Sequence, residues 1–279
     1  LSNLVYITYF GINLETDIYS YAIQLPNIIF NSFGTALVTV VIPIFAGYIG
    51  TGEKERAFRF ANNVTSLSVL FTLILTIAGI AIAPLIILMT RFRHEGYDFA
   101  LMALRIMFPV IIFYALNYIL QGILQSLGKY NAPALVSVPS SLVVILYVFL
   151  LGDRFGVAGL LVATLIGLSL QALILIPPIF TTEYRYRPSF NFRDEDIKKA
   201  MGLVPPILLG TSAYQINMLF NATLSANFEN AVALITTVQN LVLYAILAFI
   251  YSVTSVIFPR LTMLAARNDM EGFKNSLFK

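Results

Sequence analysis

Long apolar stretches separated by short polar loops run through most of the chain. A transmembrane helix needs about 20 such residues, whereas a membrane β-strand needs only about 9–11 alternating ones. The pattern therefore predicts an all-α, polytopic helix bundle made of a partial first helix and seven complete ones. The partial helix covers residues 1–11, and the predicted spans are 18–48, 60–89, 100–126, 132–151, 157–180, 203–228 and 232–262.

The amino-acid composition indicates whether the predicted helices are surrounded by water or by lipid. Of the 279 residues, 58% are apolar and 11% charged, and the mean hydropathy is +0.83. Soluble domains are about 45–50% apolar and about 25% charged. A soluble chain of this length cannot bury the excess, so the apolar faces must meet lipid. These numbers exclude a soluble enzyme, a nucleic-acid-binding domain and a disordered chain.

Lysine and arginine are divided unevenly between the two sides of the predicted bundle. The loops on one side hold thirteen of them and those on the other side four. The positive-inside rule places the richer side in the cytoplasm. We therefore expect a cytoplasmic N-terminus and an outward-facing loop at residues 11–17. Because the sequence from Leu1 onward is typical of a helix interior, we also expect further residues upstream.

The longest polar stretch divides the chain into three parts. Residues 181–200 are predicted to form a cytoplasmic amphipathic connector, with Asp194 capping a short surface helix that ends near Lys198 and Lys199. Residues 1–180 would form an N-terminal lobe of helices one to six. Residues 201–279 would begin a second lobe with helices seven and eight.

A repeated pattern supports two related lobes. Residues 39–43 (TVVIP), followed by the charged segment 53–59, resemble residues 255–259 (SVIFP), followed by 269–274. Many secondary transporters consist of two related halves with substrate held between them. Pro26, Pro43 and Pro259 interrupt long helices and are candidate hinges. The alternative is that a proline followed by charged residues is merely common in membrane helices.

Most of the groups that carry chemistry are missing from the sequence. There is no cysteine and only one histidine, His94, and no glycine-rich phosphate loop is found. No charged residue lies deep in a predicted span, so no acid–base or nucleophile–base pair shares a common depth. We expect no enzyme activity, no catalytic residue, no metal, no cofactor and no nucleic-acid partner.

The deep polar residues are instead neutral amides. Three pairs stand four residues apart and so share a helix face: Asn27 with Asn31, Gln121 with Gln125, and Asn217 with Asn221. Two interpretations remain open for them. The amides line a hydrated cavity, or they hydrogen-bond neighbouring helices together.

Several motifs, in the right order along almost the whole chain, resemble the MurJ/MviN lipid II flippase family. They are residues 16–27 (TDIYSYAIQLPN), 41–45 (VIPIF), 105–109 (RIMFP), 122–128 (GILQSLG), 132–134 (APA), 215–217 (QIN) and 258–261 (FPRL). The resemblance implies a fourteen-helix parent with two six-helix lobes. This chain would hold the first lobe and the opening pair of the second.

The resemblance also implies a function. The family moves undecaprenyl-pyrophosphate-linked peptidoglycan precursor, lipid II, from the inner to the outer leaflet by alternating access. It implies a multi-pass protein of the bacterial cytoplasmic membrane, partnered by the lipid-linked precursor and by membrane lipids. A monomer is expected, and coupling to a monovalent ion is left open. The alternatives are an exporter of another lipid-linked saccharide or small molecule, or a non-transporting membrane scaffold.

One departure concerns the substrate cavity. Where family members carry Arg and Asp, this chain has Ser2 and Asn3, and only Asp17 keeps its charge. A plain role for Asp17 as an acid in the first turn of its helix is the alternative. The candidate cavity residues are Ser2, Asn3, Asp17, Gln24, Asn27, Asn31, Gln215, Asn217, Asn221 and Asn240.

Overall fold

The computed structural model describes residues 2–239, 241, 242 and 246, without the side chains of Ser2, Asn3 and Val38. Within those residues the secondary structure is helical and contains no strand, so the all-α prediction is confirmed. The chain divides into two compact units, Leu1–Ala233 and Leu234–Lys279. In the second unit the described residues are all helical.

Four helical segments are long and apolar enough to cross a membrane. They are Leu14–Gly50, Lys54–Leu88, Tyr97–Ser126 and Asn131–Phe180. The last has 50 residues because it contains two of the predicted spans. Before them comes α1 (Ser2–Phe10), and after them comes α10 (Glu195–Ser225), where the seventh span was predicted. The polytopic membrane bundle predicted from hydropathy is therefore confirmed.

The first long span begins at a capping box. The Asn13 side chain accepts a hydrogen bond from the Thr16 backbone N–H at 3.0 Å, and the Thr16 hydroxyl accepts one from the Asn13 N–H at 2.9 Å. Two otherwise unpaired backbone donors are satisfied in this way. Glu15 and Asp17 then add negative charge to the first turn of α2 (Leu14–Ala36), as the helix dipole favours.

The same span changes its helical form before it ends. A π-helical turn, Leu37–Val41, separates α2 from α3 (Ile42–Gly50), and Pro43 lies in the first turn of α3. Proline has no N–H to continue the α-helical ladder, which accounts for the wider turn just before it. Pro26 lies inside α2 without ending it. Both stay candidate hinges, and Pro259 lies outside the described residues.

The remaining helices pack around an aromatic core. They are α4 (Lys54–Leu88), α5 (Tyr97–Met107), α6 (Val110–Ser126), α7 (Asn131–Ala134), α8 (Val138–Leu173) and α9 (Ile176–Phe180). Phe30 of α2 is buried, and its ring centroid lies 5.6 Å from those of both Tyr114 and Tyr118 on α6. These ring contacts join α2 to α6.

The connector prediction was right about the cap and wrong about the helix. Asp194 accepts hydrogen bonds from the backbone of Asp196 and Ile197 at 2.9 and 3.2 Å. The helix it caps is the 31-residue α10 and not a short surface helix. The turn begun at Asp194 runs on into the apolar sequence that follows, and Pro205 and Pro206 lie inside the helix without ending it.

Helix α8 is a hairpin. Its only non-helical residue is Gly156, with φ +57°, where the chain reverses between arms 138–155 and 157–173. The Tyr147 hydroxyl donates to the Gly156 carbonyl at 2.7 Å, and the Gln171 amide donates to the Ser140 hydroxyl at 2.5 Å. The two arms therefore lie antiparallel and in close contact along their length.

Close packing in the hairpin depends on Gly167. A Cβ added there would lie 2.9 Å from Cα of Ser140, and that backbone atom cannot rotate away. We expect Gly167→Ala to destabilise the protein by about 1–3 kcal/mol through overpacking. Thermal unfolding in detergent would show this as a lower midpoint. Gly202→Ala is the control, since a Cβ there meets nothing within 4 Å. An unchanged midpoint for Gly167→Ala would contradict the close packing.

Candidate functional site

The charged residue retained from the predicted cavity, Asp17, closes one end of the bundle. Its side chain is fully buried, and Oδ1 accepts a hydrogen bond from the backbone N–H of Ala233 at 2.8 Å. Ala233 lies in the first turn of the helical stretch 231–239. The carboxylate thus satisfies a backbone donor at the start of another helix, where negative charge is favoured. Asp17 also lies in the first turn of α2, so the first-turn role considered for it is confirmed, while its role in a substrate cavity stays a prediction.

A second contact at the same end involves Arg91. Its Nη2 lies 3.7 Å from Oδ2 of Asp17, and its backbone N–H donates to the Ala226 carbonyl at 3.3 Å. The Asn227 amide donates to the Met89 carbonyl at 3.2 Å. Residues 88–93 and 226–233 are therefore held together where the charge count predicts the outer face. We call this set of contacts the outer closure.

Sequence reasoning identified Asp17 but missed its partners. Arg91 was recognised only as one of the four cations on the outward side. The Ala233 contact joins residues 216 positions apart through a backbone N–H, which no side-chain pattern signals. Only the fold brings these two residues together.

The predicted cavity amides lie deeper along α2 and α10, which pack against each other. Gln24, Asn27 and Asn31 on α2 are half-buried, while Asn217 and Asn221 on α10 are exposed. The Asn31 amide donates to Asn27, and the Asn221 amide donates to Asn217, both at 2.9 Å. The (i, i+4) contacts predicted for these two pairs are therefore present.

One buried amide oxygen of α10 has no partner among the described residues. It is Oε1 of Gln215, which lies on a half-buried side chain. An unpaired buried amide costs about 1–3 kcal/mol unless water or a ligand reaches it. Together with the exposed Asn217 and Asn221, it places three amides within two turns of α10.

The third predicted pair, Gln121 with Gln125, shows no hydrogen bond between its side chains among the described residues, and Gln121 has another partner. Gln121 hydrogen-bonds Asn117, whose amide donates to Gln171 at 3.2 Å, and Gln171 in turn reaches Ser140. This chain of bonds joins α6 to both arms of α8 inside the first lobe. These residues are helix-to-helix contacts. The side chains of Ser2 and Asn3, and all of Asn240, are outside what the structure describes.

At the opposite end, the connector is docked on α4. Three buried polar residues of α4 bind its extended backbone in alternate positions. Asn62 Oδ1 accepts from the N–H of Arg187 at 3.0 Å, and Ser66 Oγ from that of Ser189 at 3.0 Å. Asn63 makes two bonds to the backbone of Asn191, at 2.7 and 2.9 Å. We call this row of contacts the connector dock.

An ion pair fixes the start of α10 beside the dock. Asp196 accepts hydrogen bonds from Arg56 at 2.7 and 2.9 Å and from the Tyr48 hydroxyl at 2.7 Å. The Arg56 guanidinium holds the pKa of the Asp196 carboxyl below its ordinary value, and the Tyr48 hydroxyl acts in the same direction. The carboxylate therefore stays ionised at neutral pH, and α10 stays attached to α3 and α4.

These contacts were also missed from sequence, where Asn62, Asn63 and Ser66 were not among the candidate site residues. The available signal was three polar residues at positions 62, 63 and 66 of one long helix. That spacing places them on a common face.

The architecture defines a class, a multi-pass helical membrane protein with a transporter fold. A solved structure described as lipid II flippase MurJ in an inward closed conformation matches with a TM-score of 0.78 and 24% identity, covering 99% of this chain and 57% of that one. An inward-facing multidrug resistance transporter of the MATE family matches with a TM-score of 0.69 and 19% identity, covering 99% and 64%. At such identities the likeness establishes the fold.

The family model described as lipid II flippase MurJ matches residues 6–279, so the chain belongs to the MurJ family of lipid flippases of the bacterial inner membrane. A probable lipid II flippase MurJ from Buchnera aphidicola subsp. Schizaphis graminum is 24% identical over 95% of this chain and 53% of its own. One from Bdellovibrio bacteriovorus is 27% identical over 94% and 52%. The chain spans about half the length of the curated relatives it matches.

The connector dock makes a local prediction. Asn63→Ala removes both bonds to Asn191, so we expect the Asn191 amide to exchange hydrogen roughly fivefold faster, a ratio that corresponds to about 1 kcal/mol. Hydrogen-exchange mass spectrometry on peptides covering 184–194 measures this. Ser68→Ala is the matched control, since Ser68 is buried on α4 but lies outside the dock. Equal exchange in all three proteins would show that the dock does not hold the connector.

Proposed function

We propose that this chain supplies the first lobe, and the start of the second, of a flippase that moves lipid II from the inner to the outer leaflet by alternating access. The observation that carries the proposal is the arrangement of α2 and α10. They are closed at one end by the buried Asp17–Ala233 contact and carry exposed or half-buried amides further along. The names of the relatives supply the cargo.

In this mechanism the outer closure is a gate. It consists of hydrogen bonds and two long ion pairs of Arg91, with Asp17 at 3.7 Å and Glu229 at 3.9 Å, so it can separate without unpacking the aromatic core. Breaking it exposes the Asp17 carboxylate to water, which repays part of the lost bonding. The amides of Gln24, Asn27, Asn31, Gln215, Asn217 and Asn221 would then line the path of the headgroup, with Ser2, Asn3 and Asn240 completing it.

The division into lobes, the topology and the partners belong to the same proposal. Residues 1–180 form the first lobe, 181–200 the cytoplasmic connector and 201–279 the start of the second lobe. The N-terminus is cytoplasmic and the protein is a monomer, with Pro26, Pro43 and Pro259 as hinges and coupling to a monovalent ion or to the membrane potential. One observation favours a second candidate, another lipid-linked saccharide as cargo: the amides are neutral where a pyrophosphate favours arginine.

The cargo is tested in a bacterium whose own lipid II flippase can be switched off. The protein expressed from its complete gene is expected to restore growth and the exposure of lipid II at the outer leaflet. Exposure is measured with a lipid II-binding probe that cannot cross the membrane. Intracellular accumulation of lipid II, with the protein well expressed in the membrane, would contradict lipid II as the cargo and favour another lipid-linked saccharide.

The gate is tested by locking it. These 279 residues contain no cysteine, so Met89→Cys and Asn227→Cys place a unique pair of thiols across the outer closure, where the native residues are hydrogen-bonded. A short, reducible, membrane-impermeant crosslinker added to whole cells should stop lipid II exposure, and reduction should restore it. The two single-cysteine variants, treated identically, control for modification alone. Full activity in the crosslinked protein would exclude a gate at this place.

A further inference from the structure

A groove runs along the outside of the α8 hairpin, away from the outer closure and the amides. It has a volume of about 600 Å³, and ten residues of the two arms line it. They are Val143, Leu146, Tyr147, Leu150, Leu151, Phe155, Gly159, Val162, Ala163 and Ile166. All are apolar apart from the Tyr147 hydroxyl, which is occupied by its bond to the Gly156 carbonyl.

The shape of the groove follows from side-chain size. Gly159, Ala163 and Gly167 recur every four residues on the second arm, and small residues at that spacing let two helices approach closely. A Cβ on Gly159 would lie 2.2 Å from the Tyr147 hydroxyl oxygen, so only glycine leaves room for the tyrosine in the floor. Larger and more exposed side chains stand on both rims, such as Leu150 and Ile166.

The length of the groove is close to the thickness of one leaflet. On the first arm it runs from Val143 to Phe155, twelve helical steps or about 18 Å at the helical rise of 1.5 Å per residue. One leaflet of the hydrocarbon core is about 15 Å thick, half of the usual 30 Å. The groove begins next to the hairpin turn, at the membrane surface that the charge count predicts to be the outer one.

Arg154 lies at the hairpin-turn end of the groove. The Arg154 guanidinium lies 5.3 Å above the ring of Phe155, which is itself part of the groove wall. The neighbouring Asp153 carboxylate accepts a hydrogen bond from the Tyr9 hydroxyl on α1 at 2.6 Å, and no ion pair joins it to Arg154 in the described part of the chain. An arginine held at the surface end of an apolar groove suits a phosphate with a hydrocarbon chain attached.

We propose that this groove is a binding site for one acyl chain of an anionic phospholipid from the leaflet at the hairpin turn, with its phosphate on Arg154. The length of the groove is close to that of one chain within a leaflet, and the guanidinium of Arg154 lies against its wall at the surface end. The inference does not depend on the cargo proposed above. It assigns α8 a resident lipid on the face opposite to its bonds with α6.

The test uses the protein expressed from its complete gene, in vesicles of phosphatidylethanolamine and phosphatidylglycerol. A trace of phosphatidylglycerol carries a photoreactive diazirine at the end of one acyl chain, and labelled peptides are mapped after illumination. We expect saturable labelling within residues 143–166. Val162→Trp fills the groove and should reduce labelling several-fold, whereas Leu142→Trp, also exposed and apolar but outside the lining, should leave it unchanged.

The headgroup contact has its own variant. Arg154→Gln should weaken the preference for phosphatidylglycerol over phosphatidylethanolamine, while Arg105→Gln, another exposed arginine of the same predicted side, should not. Unsaturable labelling that is equal inside and outside the groove would overturn the proposal in favour of ordinary boundary lipid. Displacement by substoichiometric undecaprenyl phosphate would overturn it in favour of a polyprenyl carrier.

Discussion

Polar groups inside a membrane have almost no water to bond, and each must be satisfied within the protein or face a hydrated space. This constraint explains most of the specific contacts in the chain. The Asn117–Gln171–Ser140 chain, the connector dock and the Asp17–Ala233 bond each pair a buried polar group with a partner on a distant element. Apolar packing drives helices to associate, whereas these polar pairs determine which helices meet and in which register.

Helix α10 is held by polar contacts of this kind at both of its ends. Its start is attached to α3 and α4 through Asp196, and the loop beyond its end is attached to α2 and residues 88–93 through Asp17 and Arg91. Between these attachments its polar face is left exposed. In the proposed mechanism such a helix would release one end and keep the other, as alternating access requires of a boundary between lobes.

The two attachments differ in the number of bonds that hold them. Asp196 accepts two hydrogen bonds from Arg56 and one from Tyr48, and it adjoins the backbone bonds of the dock. Asp17 accepts a short hydrogen bond from the Ala233 N–H, and the Arg91 guanidinium lies 3.7 Å away. The bonds of both carboxylates are charge-assisted. The outer closure is held by fewer such bonds, and its carboxylate is the more deeply buried of the two.

Hydropathy was enough to predict the all-α membrane bundle, because length and apolar content are local properties. It also predicted Asp194 as a cap, but not the continuous α10, since nothing local distinguishes a one-turn surface helix from the first turn of a long one. Asp17 could be recognised from its position, while Arg91 and Ala233 could not, because the fold alone brings them near. The groove on α8 depends on three small residues whose effect appears only when the second arm is packed.

Neutral amides in place of charged residues would change both the binding energy of a headgroup and the cost of closing an empty cavity. Replacing charged residues by amides in a cavity weakens the attraction for an anionic headgroup, since neutral hydrogen bonds are about half as strong as charge-assisted ones. The same replacement lowers the cost of closing the empty cavity, because a desolvated amide pair costs far less than a desolvated ion pair. The (i, i+4) bonds between Asn27 and Asn31, and between Asn217 and Asn221, satisfy part of this need when no headgroup is present. In the proposed flippase, a cavity lined by these amides would bind its cargo less tightly but return empty more easily, so selectivity would come from the shape of the headgroup and from the lipid it is attached to.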